Sequence, residues 1–375
     1  MKFIENINSP GIETTKKAAL YFKTDPFFMD VTKYVHTNNW EILQSIRLLN
    51  SKGYSVDLID RTNHDWVPNK TYDLFLGLGV GNTGRNFTRH AIASCSPKKV
   101  LLAMGPDRFD DLVSARYDNF YKRTGKLAPP MRLAQELTTE VFNKIIETTD
   151  YILTIGEKET LSYKSFLKYN KPLLNFLPSV SPELKFDNNW LQTRDINSFL
   201  CFSGNGFICK GVDIVIEAFL KMPDKELHIC GPNSEQSFNN HFGALIASSP
   251  NIKYHGFIEP GGSVFNNLAS KCSFIIFHSS AEACATSVAS SMKAGLVPVI
   301  NPWTNIGIED NVNGILMSDE GDLIENIVDK VRYSSSISKE QYKLLVENNN
   351  KNASKFSQES FTQSYSKALD YIIEN

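Results

Sequence analysis

Five short apolar runs alternate with helical stretches on each side of a single break, and this doubled rhythm leaves few architectures open. In the first half AALYF (18–22), YSVDLID (54–60), YDLFLGLG (72–79), KVLLAM (99–104) and YILTI (151–155) are compact and bounded by turn or charged residues, as strands are. Between the first two, HTNNWEILQSIRLLNSKG offers a cap at Thr37 or Asn38, a stripe of Ile42, Ile46 and Leu49, and Gly53 as a stop. Strand, helix and strand at that spacing predict a parallel sheet covered on both faces. Residues 178–197, with Pro178 and Pro182 and no sustained period, are the expected domain joint. The rhythm then restarts with FLCFSG (199–204), a helix striped by Val212, Val215, Ile216, Phe219 and Leu220, ELHICG (226–231), NIKYHGF (251–257), SFIIF (273–277) and LVPVI (296–300). The expectation is two Rossmann-like α/β domains, 1–180 and 198–354, with a C-terminal helix at 355–375 packing back on the first. At 375 residues the chain is long enough for two cores.

Bulk composition excludes several function classes. A formal net charge of -2 leaves no surplus to neutralise a run of phosphates, so nucleic acid is not an expected partner. The six cysteines include no CxxC pair, and histidines do not cluster at ligand spacing, so neither a disulfide framework nor a structural zinc is expected. The N-terminus lacks a signal-peptide apolar core, and no window approaches the roughly 20 apolar residues of a membrane span. A cytoplasmic protein is expected, with any membrane contact peripheral.

In open α/β sheets ligands bind beyond the carboxyl ends of the strands, so the loops after strands are where chemistry is sought. Gly79-Val80-Gly81-Asn82-Thr83-Gly84 matches GxGxxG and is followed by Asp107 roughly where a ribose-binding acid would stand, which on its face suggests NAD. Two strand patterns precede it, however, and nothing comparable is repeated for a second nucleotide. Glycines shaping a loop are the favoured reading.

SGNGFICKG (203–211) lets backbone N–H groups of Gly204, Asn205 and Gly206 approach an anion, with Lys210 as a point charge and a helix N-terminus beyond. Taken alone, it is equally a strand-to-helix turn with a solvated lysine. Gly231 ends the next strand. In HSSAEACATSVASSMKAG (278–295), Glu282 precedes Ala283, Cys284, Ala285, Thr286 and Ser287, small residues that leave helix-start N–H groups open to a ligand. By itself Glu282 is a helix-start acid. With Lys210 it suits glycosyl transfer, whose transition state puts positive charge on the sugar and negative charge on the departing diphosphate. His36, with Asn38, Asn39 and Glu41, either hydrogen-bonds a sugar or helps a proton move, or is incidental to a capping cluster of Asn38 and Glu41. Asp107, Arg108 and Asp110 follow another first-half strand. No two aspartates are separated by one residue, so a DxD metal-holding element is missing and no metal or cofactor is expected.

Together these stretches resemble the retaining glycosyltransferases of the GT-B fold, family 4 (glycosyl transferases group 1), in which two Rossmann-like domains face each other across a cleft. FSGNGFICKGVDIVIEAF, LHICGP, IKYHGFI, the Glu282 stretch, AGLVPVI and Asn313-Gly314 follow in that family's order from about Phe199 to Leu316. The first half matches more generally, and looks like a bacterial subgroup that builds surface polysaccharides and modifies glycans. The resemblance implies a nucleotide-sugar donor and a glycan or lipid-linked saccharide acceptor. It implies that Lys210 meets the diphosphate, that Glu282 holds the transferred sugar, and that the backbone from Ala283 to Thr286 cradles it. Three departures stand out: Ser290 occupies the place of the second acid, Asn205 that of the arginine which commonly joins the lysine, and the Met104–Asp107 region lacks the usual histidine.

Overall fold

The computed structural model describes residues 2–28, 37–80, 84, 86–130 and 138–375. It divides into two compact units: unit 1 is Met1–Asp110, Leu133–Ser179 and Gln358–Asn375, and unit 2 is Asp111–Arg132 and Val180–Ser357.

Among the described residues, unit 1 is built on strands β1 (Phe3–Ile7), β2 (Lys16–Phe22), β3 (Tyr54–Asp60), β4 (Leu74–Leu78), β5 (Lys99–Ala103), β6 (Tyr151–Ile155) and β7 (Leu173–Phe176) in the order β1-β3-β2-β4-β5-β6-β7. β4 and β6 are buried along their whole length, as parallel strands covered on both faces must be. The helices before the second sheet are α1 (Thr37–Ser51), α2 (Phe87–Ala93), α3 (Phe109–Thr124), α4 (Thr139–Thr148), α5 (Leu161–Ser165) and α6 (Trp190–Thr193). Helix α1 buries Ile42, Ile46 and Leu49 and stops at Gly53, whose φ of +85° is available to glycine at no steric cost.

The parallel expectation needs one correction. β1 runs antiparallel to β3 at the sheet edge. Its FIENI is partly exposed throughout, so it lacks the apolar density that marks the buried strands. β7 also escaped the sequence reading, because LLNF lies between Pro172 and Pro178 and merges with the joint.

Unit 2 carries β8 (Asp195–Phe202), β9 (Glu226–Cys230), β10 (Ile252–Tyr254), β11 (Cys272–Phe277), β12 (Val297–Ile300) and β13 (Ile315–Leu316), all parallel, in the order β10-β9-β8-β11-β12-β13. At its centre Phe199 of β8 stacks on Phe274 of β11 with ring centroids 5.0 Å apart. Its helices are α7 (Val212–Leu220), α8 (Gln236–Ser248), α9 (Ser263–Lys271), α10 (Thr286–Lys293), α11 (Leu323–Ser336) and α12 (Lys339–Ala353). Helices α11 and α12 start on side-chain caps, Asp322 and Ser338. The sequence switches sides between β8 and β11, which places the loops after those two strands at the topological switch point.

The segment Asp111–Arg132, expected with the first half, belongs to unit 2. Helix α3 buries Val113, Tyr117 and Phe120, and Phe120 meets His241 and Phe242 of α8. The last helix, α13 (Gln358–Glu374), lies in unit 1, where Phe361 packs edge-on to Trp40 of α1 and Phe176 of β7.

Candidate functional site

Both sequence stretches that point to a donor site end up at the unit 2 switch point. From the end of β8, Ser203 bonds the carbonyl of Cys230 through its N–H (2.8 Å) and the chain turns through Gly204, Asn205 and Gly206. Two glycines nearby are dictated by close approach. Gly211 has φ +72°, and a Cβ there would lie 2.0 Å from the carbonyl oxygen of His278. Gly231 has φ +143°, and a Cβ there would lie 2.1 Å from the carbonyl oxygen of Ser203. The glycines thus let the glycine loop press against the ends of β9 and β11.

That approach brings Lys210 to Glu282. They form a buried ion pair, and the hydroxyl of Ser279 donates to Glu282 Oε1 at 2.9 Å. The Glu282 backbone is held as well: its N–H bonds the Trp303 carbonyl (3.1 Å), and its carbonyl accepts from Asn305 Nδ2 (2.6 Å). Beyond it α10 begins with Ala285 at its N-cap and no side-chain cap. The N–H of Ala285 is taken by the carbonyl of Thr304. Between His278 and Met292 only Ala283, Thr286 and Ser287 are partly exposed. A carboxylate, an ammonium and a helix start therefore converge on one place, the set needed to hold a polar sugar and its phosphate.

The departures from the family pattern also have places. Asn205 is spent on the loop itself: Oδ1 accepts from the N–H groups of Gly206 (3.0 Å) and Ser234 (3.2 Å), and Nδ2 donates to Ser234 Oγ (3.0 Å). Ser290 is buried, and its hydroxyl donates to the Thr286 carbonyl one turn back (2.7 Å).

Sequence reading missed the polar layer beneath this site, which α3 supplies. Arg116 Nη2 donates to His278 Nδ1 at 3.0 Å, and because arginine only donates, that nitrogen is an acceptor and His278 carries its proton on Nε2, 3.3 Å from the Ser318 carbonyl. Burial, helped by Arg116, pushes the His278 pKa down to about 3, so the ring is neutral. Tyr117 donates to Glu235, whose other oxygen accepts from the Ile208 N–H (3.0 Å), and Arg123 pairs with Asp213 and Glu217. Burial raises the pKa of Asp213 and the two arginines oppose the shift. The only sequence signal was the spacing of Arg116, Tyr117 and Arg123 on one helix, which names no partner.

Among the first-half candidates, His36 lies outside the described residues. Asn38 is half-buried and Asn39 buried. Glu41 is buried, and its Oε1 accepts from the N–H (2.7 Å) and hydroxyl (3.0 Å) of Ser179. Burial pushes its pKa up to about 7 against those two hydrogen bonds. A cavity of about 20 Å³ beside it, lined also by Phe22, Ser45 and Tyr365, has room for a single water. Asp107 accepts from Tyr169 (3.0 Å) and pairs with Lys168, tying the end of β5 to the segment after α5, while Arg108 is exposed. In the GxGxxG stretch Gly81, Asn82 and Thr83 lie outside the described residues; a Cβ at Gly84 would lie 2.6 Å from the Gly79 carbonyl, so close backbone packing requires glycine at that position. Among the described residues, no helix is long and apolar enough to cross a membrane.

Comparison with known proteins bears on the fold and on the second half of the chain. Residues 198–333 match the family model described as glycosyl transferases group 1. No curated protein sequence matches. Among solved structures the chain is similar to a sucrose-phosphate synthase from Thermosynechococcus elongatus (TM-score 0.65, 11% identity, 96% of this chain and 100% of that one). It is also similar to Anabaena Alr3699/HepE in complex with UDP-glucose (TM-score 0.60, 14% identity, 95% and 100%). A third is WaaG, a glycosyltransferase involved in lipopolysaccharide biosynthesis (TM-score 0.57, 14% identity, 96% and 100%). The chain therefore has the GT-B fold, and residues 198–333, from within β8 to within α11, match the glycosyl transferases group 1 model.

Proposed function

We propose that this chain is a retaining, metal-independent glycosyltransferase that moves a hexose from a nucleoside-diphosphate sugar to a hydroxyl of a glycan or lipid-linked saccharide, in surface-polysaccharide or glycan biosynthesis. The observation that carries the reading is the buried Lys210–Glu282 pair between the glycine loop and the start of α10. Two opposite charges taken out of water are costly as a purely structural device, and replacing such a pair by apolar residues is often neutral or stabilising. Such a pair at a switch point suits a reaction that separates charge. Lys210 would turn to the diphosphate as it departs, and Glu282 would accept hydrogen bonds from the sugar hydroxyls. The first-turn amides of α10 would face the phosphate, so protein cations and dipoles would stabilise the leaving charge in place of a metal. The complexes of Alr3699/HepE with UDP-glucose and of the pneumococcal transferase GtfA with UDP and GlcNAc support a UDP-sugar donor.

The test begins with a thermal-shift panel of UDP-, GDP- and CMP-sugars, since a ligand that binds only the folded state raises its apparent stability. The donor found there is then assayed for hydrolysis and transfer in EDTA. Glu282→Ala is expected to lower turnover by about 10²–10³-fold, the magnitude typical of losing one charge-stabilising group. Donor binding without turnover against any lipid-linked glycan pool would instead make the chain a non-catalytic sugar-nucleotide-binding subunit.

A further inference from the structure

With Asn205 spent on the glycine loop, that loop itself supplies Lys210 and no arginine. We propose that Arg116, carried on α3, 162 residues before its partner His278, is a positioning residue for the donor site and supplies the second positive charge from beneath it. The inference rests on the donor-site reading of Lys210 and Glu282.

The geometry is a three-way contact. Arg116 is only 6% exposed; Nη2 donates to His278, and Nη1 is buried with no hydrogen-bond partner. A Cβ built on Gly211 would lie 2.8 Å from Nη1 and 2.0 Å from the His278 carbonyl, so guanidinium, Gly211 and the end of β11 meet at one point. Lys210 is the residue before Gly211. Ser279, whose hydroxyl holds Glu282 Oε1, is the residue after His278. Arg116 thus touches the chain one residue away from Lys210 and one residue away from Ser279, which holds Glu282. Its charge is only partly matched nearby. Asp213 pairs with Arg123, and Asp319 accepts from Asn301 Nδ2 at 2.6 Å, although both carboxylates lie within the field of Arg116. A positive charge fixed in a low-dielectric layer acts further than one in water, and it needs no reorganisation when the diphosphate leaves.

The experiment compares the whole wild-type chain with Arg116→Lys and Arg116→Met. Titration calorimetry measures binding of UDP, GDP and ADP and of their parent nucleosides, and donor hydrolysis gives kcat and KM. Arg116→Met is expected to weaken the bound diphosphate about tenfold or more and to leave the parent nucleoside within about twofold, since only the phosphate senses the charge. Arg116→Lys keeps the charge but loses the forked contact, so it should bind the diphosphate within about threefold of wild type while kcat falls about tenfold. A purely structural role would weaken diphosphate and nucleoside in parallel, and that result overturns the assignment. So does wild-type kcat in Arg116→Lys, which decides the matter even if Arg116→Met does not fold. A wild-type chain that binds none of the three diphosphates overturns the donor-site reading together with this one; binding unchanged in both variants overturns the role of Arg116 alone.

Discussion

Gly211 and Gly204 sit in the same loop, yet physics separates them. Gly211 combines a left-handed φ of +72° with a carbonyl 2.0 Å from where a Cβ would go, while Gly204 has nothing within 4 Å. Gly211→Ala should therefore push the end of β11 away from Lys210 and lose more than about 2 kcal/mol of stability, combining left-handed strain with a backbone clash. Gly204→Ala should unfold within about 1 °C of wild type, as surface changes usually do. Thermal melts of both variants check the contrast, and equal losses would mean the β8–α7 turn is not held as described. Ser290 carries a prediction of its own. Its hydroxyl hydrogen is committed to the Thr286 carbonyl, so Ser290→Ala should change donor affinity less than about threefold, well under the loss of a hydrogen bond to a charged group. A loss beyond tenfold would put the ribose on Ser290. At this scale the sequence exposed what is local: SGNGFICKG and HSSAEACATSVASSMKAG each announce a charge beside small residues, and their pairing follows once β8 and β11 are neighbours. Arg116 stayed hidden because a buried arginine is recognisable only by what surrounds it, and its surroundings lie 162 residues away.

Between elements, the junction of α1, α13 and the end of unit 1 turns on one acid. Glu41 of α1 grips Ser179, the last residue before the chain passes to unit 2. Its pKa in the folded state is about 7 against an ordinary 4.5, so the folded chain holds this proton more tightly than the unfolded chain does. The contribution therefore favours folding at low pH, declines as pH rises from about 4.5 to about 7, and beyond that leaves a penalty of about 3 kcal/mol, from 1.36 kcal/mol per pH unit. Glu41→Gln keeps a carbonyl for both Ser179 bonds and does not titrate. Its melting temperature should rise relative to wild type as pH goes from 5 to 8, and parallel profiles would show that Glu41 ionises at its ordinary pH. The apolar stripe of α1 was legible because Ile42, Ile46 and Leu49 keep helical period. The acid was not, since Glu41 looks like any first-turn carboxylate until α13 and Ser179 close over it.

For the whole chain, the segment Asp111–Arg132 decides where unit 2 begins. A break in composition at 178–197 suggests that everything after it folds by itself, but strand rhythm records only where sheets restart and cannot say which sheet an intervening helix covers. Here α3 carries the counter-charges for the second sheet. Without it Asp213, fully buried, loses Arg123, and Glu235 loses Tyr117. Removing one member of a buried ion pair costs about 3–5 kcal/mol, a large part of the 5–15 kcal/mol that holds an ordinary domain folded. The apolar side adds to this, since Phe120 leaves Phe242 uncovered. A fragment of residues 180–357 is therefore expected to show no cooperative thermal transition, whereas the same fragment with residues 109–130 joined to its N-terminus by a flexible linker should melt cooperatively. Arg123→Met in the linked fragment should then lower the transition without abolishing it. Differential scanning calorimetry separates these outcomes, and a cooperative transition in residues 180–357 alone would mean that α3 is an accessory to unit 2 and not part of its core.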